Sequence, residues 1–139
     1  MTQVKFYDSV DDSLLKFAVI ITKSEGNWVL CKHTERITYE VPGGHREEGE
    51  SIEETARREL YEETGATEYT LKPISVYSVI KDGGQETFGM LYYAEATSFE
   101  TELHSEIEKV ILSEELPENW TYPDIQPLLI EEAARQGFL

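Results

Sequence analysis

The order of apolar and polar positions divides the chain into strand-like and helix-like stretches. Residues 16–22 and 27–33 are rich in β-branched and aromatic side chains, with Ser24-Glu25-Gly26 between them as a turn. That combination reads as a β-hairpin. Residues 37–41 read as a further short strand, stopped by Pro42-Gly43-Gly44. Further on the apolar spacing becomes helical: Ile52, Ala56 and Leu60 fall on one stripe, which predicts a helix over residues 52–64. Ser51 followed by Glu54 has the form of a capping box, and Gly65 stands where a left-handed residue ends a helix. Two longer strand-like stretches follow, 70–80 and 86–96, joined by Asp82-Gly83-Gly84. A short strand is expected near residues 109–112, and residues 117–123 read as irregular. Asp124 is placed to cap a last helix running to about Gln136, with Gly137 after it. Strands on both sides of one central helix predict a mixed α/β fold.

The chain has 139 residues, with no repeats, low-complexity tract or Pro/Ser-rich linker, so residues 1–139 are expected to form one domain around one core. Charge adds more than length does. The chain carries 12 basic and 28 acidic residues, a net charge of −16. Such a field repels nucleic-acid backbones and argues against a duplex-binding surface. It repels free nucleotides too, so an anionic substrate needs a local basic patch or bound cations. Cys31 is the only cysteine, which excludes an intramolecular disulfide and a thiolate cluster. Its apolar surroundings, Trp28-Val29-Leu30, make it a small core residue. Residues 1–12 lack a basic head and an apolar signal core, and the longest strongly apolar run, 17–21, falls far short of a membrane span. A cytoplasmic protein with no membrane partner is the expectation.

On a wheel of about 100° per residue, Glu59, Glu62 and Glu63 fall together on the stripe beside the apolar one. Carboxylates bunched at the border of a buried face repel one another, and desolvation makes this worse. A divalent cation removes the objection, since hard oxygen ligands suit magnesium or manganese. On spacing alone a second reading stays open: a solvated acidic face with Arg57 and Arg58 as ordinary helix partners.

The wider pattern chooses between them. Gly44, five residues, Glu50, seven residues and then Arg58-Glu59-Leu60-Tyr61-Glu62-Glu63-Thr64-Gly65-Ala66 resemble the Nudix box over 23 residues. Val41-Pro42-Gly43 is similar to the family's lead-in. Ala66 is the one soft departure, where a larger aliphatic side chain is usual, and it bears on packing alone. The resemblance, to the MutT-like Nudix hydrolases, implies an α/β/α sandwich with a mixed sheet. It implies magnesium or manganese held by Glu59, Glu62, Glu63 and the Gly43 carbonyl, with Gly44 close to the substrate diphosphate. Glu50 and Arg58 would orient the ligand carboxylates. The reaction implied is attack of a cation-activated water on a phosphoanhydride. The substrate would be a nucleoside triphosphate, an oxidised or non-standard one included, split to monophosphate and pyrophosphate. Dinucleotide polyphosphates and nucleotide sugars share the diphosphate and stay open, as does a nucleotide-sensing module of the same fold without catalysis. Retention of all three glutamates argues against that last reading. Family analogy also allows a homodimer.

The general base is not marked by the box. Glu108 is the first choice by its place just before the strand near residue 109, then Glu106, with Glu102 in the same loop and Glu62 or Glu59 on the helix as alternatives. Arg36 could touch substrate phosphate or be an ordinary surface arginine, and Trp120 and Tyr122 are candidates for a substrate-pocket wall. Phe88, Met90 and Tyr92 share a strand face, with Tyr77 as a neighbour, and read as core more readily than as a base-stacking platform. His33, His45 and His104 have no ligand spacing and read as surface or loop residues.

Overall fold

The computed structural model describes residues 1–100 and 107–139, with side chains taken from residue 110 onward in the second segment. These residues form a seven-stranded mixed sheet and two helices. The elements are β1 (Thr2–Tyr7), a 3-10 turn (Asp12–Leu14), β2 (Leu15–Ser24), β3 (Asn27–His33), β4 (Gly43–His45) and α1 (Ile52–Thr64). They continue with β5 (Ala66–Lys81), β6 (Thr87–Phe99), β7 (Ile107–Ser113) and α2 (Gln126–Arg135). The sheet order is β1-β5-β6-β2-β3-β7, with β4 set against β2. β2 and β6 run parallel at the centre, and the other pairs are antiparallel. No helix among the described residues is long and apolar enough to cross a membrane.

The helices cover opposite faces of the sheet, and the alternation of strand side chains shows this directly. Ala18 and Ile20 of β2 join Tyr92, Ala94 and Ala96 of β6 and Ala56 and Leu60 of α1 in one cluster. Ile21 of β2 joins Leu91 of β6 and Leu129, Ile130 and Ala133 of α2 in the other. The expected α/β/α sandwich is observed. β2 is buried on both faces, which is why residues 16–22 read as a nearly continuous apolar run. Cys31 is fully buried, as expected for a small core residue.

Three elements differ from the sequence expectation. β1 was not anticipated: it is a short edge strand whose Val4 and Phe6 pack toward α2 while Gln3 and Lys5 alternate outward. Residues 37–41 form only isolated bridges, Cys31 with Glu40 and Tyr39 with Trp120, and the strand β4 starts inside the Pro-Gly-Gly turn. The cause is a split in the sheet. β2 and β3 pair only beside their turn, at Lys23 with Trp28 and Ser24 with Asn27, and then separate. The chain enters the gap along β3 at Glu40 and changes sides, so that Gly43–His45 pairs with Phe17, Ala18 and Val19 of β2. Finally, Asp124 does not cap α2. Ile125 holds the cap position without any side-chain hydrogen bond, and the proline near the start needs no N–H partner.

Candidate active site

Helix α1 starts and ends where the sequence expectation put it. Ser51 accepts from the Glu54 amide at 3.1 Å and the Glu54 carboxylate accepts from the Ser51 amide at 2.8 Å, closing the capping box. Gly65 ends the helix at φ +77° with its amide on the Tyr61 carbonyl. Leu60 and Ala56 anchor the buried stripe. Full burial of a leucine side chain contributes on the order of 2 kcal/mol, so the helix is held in one rotation about its axis. That rotation decides where the glutamates stand.

Arg58 organises the polar border. Its Nε and Nη2 grip the Glu50 carboxylate at 2.6 and 3.0 Å, and Nη2 also donates to the His45 carbonyl at 2.9 Å. Its Nη1 reaches Glu62 at 2.9 Å and Glu59 at 3.4 Å. One guanidinium thus ties the loop before α1 to its neighbour Glu59 and to Glu62 one turn further along the helix. Arg58 lowers the Glu50 carboxyl to a pKa of about 2, with help from the Glu47 amide and the Thr55 hydroxyl. Arg46 secures the same loop from below, donating to Glu50 O, Asp12 O and the Asp12 carboxylate at 2.8 to 2.9 Å.

Glu59 and Glu63 face the Gly43-Gly44 backbone. The Gly43 amide donates to Glu63 at 2.7 Å. A Cβ on Gly44 would lie 1.4 Å from a Glu59 oxygen, and one on Gly43 would lie 2.6 Å from the Ala18 carbonyl. Gly43 is therefore required by the protein's own backbone packing, whereas a side chain at Gly44 would displace the end of the Glu59 side chain. Burial raises the Glu59 carboxyl to about 7, with Arg58 opposing and Glu62 adding to the rise. Burial raises Glu63 to about 8, with the Gly43 amide opposing and the Glu59 and Glu40 charges adding to the rise. Desolvated carboxylates that lift each other's pKa in this way suit a hard divalent cation, which compensates both penalties at once.

The structure also brings in two residues that sequence reasoning missed. His33, expected at the surface, lies in β3 with Nε2 at 2.5 Å from Glu40 and 3.5 Å from Glu63. The three offer ligand atoms all within 4.8 Å of one another. Their separation in sequence carried no signal, because the Glu40 bridge to Cys31 is what sets them side by side. His45 lies in β4 with its ring edge-on to Phe17 at 4.5 Å.

Beside this cluster opens a cavity of about 500 Å³, walled by the α2 face of the sheet and the start of α2. Arg36 and Tyr122 line it, the guanidinium 5.9 Å from the ring centre and one of its nitrogens 3.4 Å from Glu40. Trp120 corrects the expectation: it packs against the core cluster beneath α2 and is not part of the cavity lining. Tyr77 does line the cavity, but it pairs with Gly89 and so faces away from Phe88, Met90 and Tyr92. Met90 and Tyr92 pack under α1 as core, and Phe88 meets Tyr7. Of the base candidates, Glu102 and Glu106 lie outside the described residues, as does His104, and Glu108 is described only as part of the β7 backbone.

The NUDIX domain family matches this chain over residues 13–131. A Bacillus subtilis (strain 168) protein named putative 8-oxo-dGTP diphosphatase YtkD is 36% identical over 120 residues, 84% of this chain and 73% of its own length. The crystal structure of the Bacillus subtilis pyrophosphohydrolase BsRppH superposes with a TM-score of 0.81 at 28% identity, covering 99% of this chain and 92% of that one. The NUDIX domain of Shewanella oneidensis NrtR, solved with ADP ribose, shares the fold at a TM-score of 0.64 and 16% identity, over 87% of this chain and 86% of that one.

Proposed function

The chain belongs to the Nudix family, and from that premise we propose that it is a magnesium- or manganese-dependent pyrophosphohydrolase acting on nucleoside triphosphates, with an oxidised guanine nucleotide first among them. The observation that carries the reading is the desolvated cluster of Glu59 and Glu63, joined to Glu62 through Arg58, at the mouth of a nucleoside-sized cavity. The choice of base rests on the name of the 36% identical relative.

In this reading Glu59, Glu62 and Glu63, with the Gly43 carbonyl, hold the cation, and Gly44 lies against the diphosphate. The cation, when bound, neutralises phosphate oxygens and makes water acidic enough to be deprotonated near neutral pH. Arg58 holds Glu59 and Glu62 in place, and Glu50 holds Arg58. Arg36 meets phosphate at the cavity mouth and Tyr122 forms part of its wall. Glu108 takes the proton from the attacking water. Support for that choice is its place in β7: Ile107 pairs with His33, whose ring touches Glu63, and Glu108 falls at the irregularity that follows. Glu106 is the alternative.

The test is a panel of nucleoside triphosphates, dinucleotide polyphosphates and nucleotide sugars, followed by release of pyrophosphate and phosphate. Triphosphates should be split to monophosphate and pyrophosphate, activity should vanish in excess EDTA, and magnesium or manganese should restore it. Full turnover in EDTA overturns the mechanism. Turnover of the other two classes alone overturns the substrate.

A further inference from the structure

Three side chains from separate parts of the chain converge at the cavity, and two of them lie outside the box helix. His33 closes β3, Glu40 sits in the bridge that faces that strand, and Glu63 stands on α1. The bridge sets residue 40 opposite residue 31, which makes residue 33 its diagonal neighbour on the same face. Both carboxylates are more than nine-tenths buried, Glu40 at 5% and Glu63 at 8% exposure.

Each carboxylate is fixed through one oxygen and offers the other. Glu63 Oε1 accepts from the Gly43 amide at 2.7 Å, and Oε2 lies 3.5 Å from His33 Nε2. Glu40 Oε2 accepts from Arg36 at 3.4 Å, and Oε1 lies 2.5 Å from the same ring nitrogen. An imidazole N–H can point at one oxygen, so a bond to Glu40 leaves Glu63 Oε2 with a charge contact alone. A divalent ion balances both carboxylates and binds all three atoms. Those atoms lie within 4.8 Å of one another, and all three residues line the cavity. An ion held there by three protein ligands keeps its other positions open to water or substrate. The ligand set also differs in kind from Glu59, Glu62 and Glu63. Those offer oxygen alone, which suits magnesium, whereas an imidazole moves the preference toward divalent transition ions.

We propose that His33, Glu40 and Glu63 form a second cation site, one that takes a divalent transition ion in preference to magnesium. It rests on the hydrolase reading at one point, since Glu63 belongs to both sites; His33 and Glu40 are ligands that the box does not supply. In a chain of net charge −16, a second ion adds positive charge where an anionic substrate must enter.

Manganese is the probe, added without substrate to the wild-type protein, His33→Gln, Glu40→Gln, His45→Gln and Glu59→Gln. Bound ion is counted by loss of the free-manganese EPR signal, and a nitrogen ligand is read as nitrogen modulation in pulsed EPR. In the wild type, about a hundredfold excess of magnesium should displace the all-oxygen ion and leave one manganese with its nitrogen modulation intact. His33→Gln should abolish that modulation and weaken this ion by about tenfold or more. Glu40→Gln should weaken the same ion, so the result does not hang on one variant. His45→Gln and Glu59→Gln should keep the modulation, because neither residue is a ligand of this site. Bound manganese without nitrogen modulation, or modulation that survives His33→Gln, overturns the second site and leaves the hydrolase reading standing. A wild-type chain that binds no manganese at all overturns both.

Discussion

The two faces of the sheet are built in opposite ways. Under α1 five of the eight buried cluster residues are alanines, Ala18, Ala56, Ala66, Ala94 and Ala96, set around Ile20, Leu60 and Tyr92, and they let helix and strands approach closely. The polar border above that contact is saturated with hydrogen bonds through Arg58, Arg46 and the capping box. Under α2 the side chains are larger, among them Leu30, Tyr77, Leu91 and Leu129, yet they leave a cavity of about 500 Å³. There the helix starts without a side-chain cap, and its opening residue, Gln126, accepts from the Val41 amide at the wall of the cavity. The difference matches two tasks. In the function proposed above, a cluster of like charges must be held rigidly because its geometry is strained by repulsion, whereas a substrate wall must leave space for something from outside.

The comparison is broken most severely by neutralising one carboxylate on the tight face. Glu63→Gln should lower kcat by about a hundredfold or more, the scale of losing metal or charge stabilisation. Glu53→Gln, on the same helix but paired with Arg57 at the surface, should stay within about twofold. Equal losses in steady-state assays of the two variants would show that position on the helix face does not matter.

A middle-sized effect tests the strain itself. Glu59 and Glu63 have folded-state values of about 7 and 8 against an ordinary 4.5. A carboxyl with a raised folded pKa binds more protons folded than unfolded between the two values, so stability falls as pH rises through that window. The cation-free protein should therefore melt at lower temperature at pH 8 than at pH 5, by several degrees. Glu50, lowered to about 2, acts below this window and does not confuse it. Saturating magnesium or manganese should flatten the slope, because the cation binds the ionised cluster. Thermal melts across pH with and without cation check this, and a flat cation-free profile would contradict the burial of the cluster.

The smallest effects contrast the two helix starts. Ser51→Ala removes the cap of α1 and should destabilise the protein by about 1 kcal/mol in denaturant melts. Asp124→Ala should change stability by less than about 0.5 kcal/mol, since Asp124 caps nothing.

What the sequence determined by itself was local. The α1 boundaries followed from Ser51, Glu54 and Gly65, whose partners lie within one helical turn. The Glu25-Gly26 hairpin and the pairing of Asp82-Gly83 with a strand reversal are similarly short-range. The family resemblance of the box, and with it the sandwich class, was legible because its residues occupy one continuous segment. Tertiary structure alone decided the rest. β1 is a six-residue edge strand with too little pattern to announce itself, and it gains its place only by pairing with β5. The Pro42-Gly43-Gly44 segment became a strand because β2 and β3 separate and leave a gap to fill, a fact about three chain segments at once. His33 and Glu40 reached Glu63 across that same gap, and Gln126 reached Val41 over a separation of 85 residues. Spacing along a helix or strand records which side chains share a face; it carries no record of which faces meet. Meeting is decided by the packing of the whole sheet, and there the second half of the site was made.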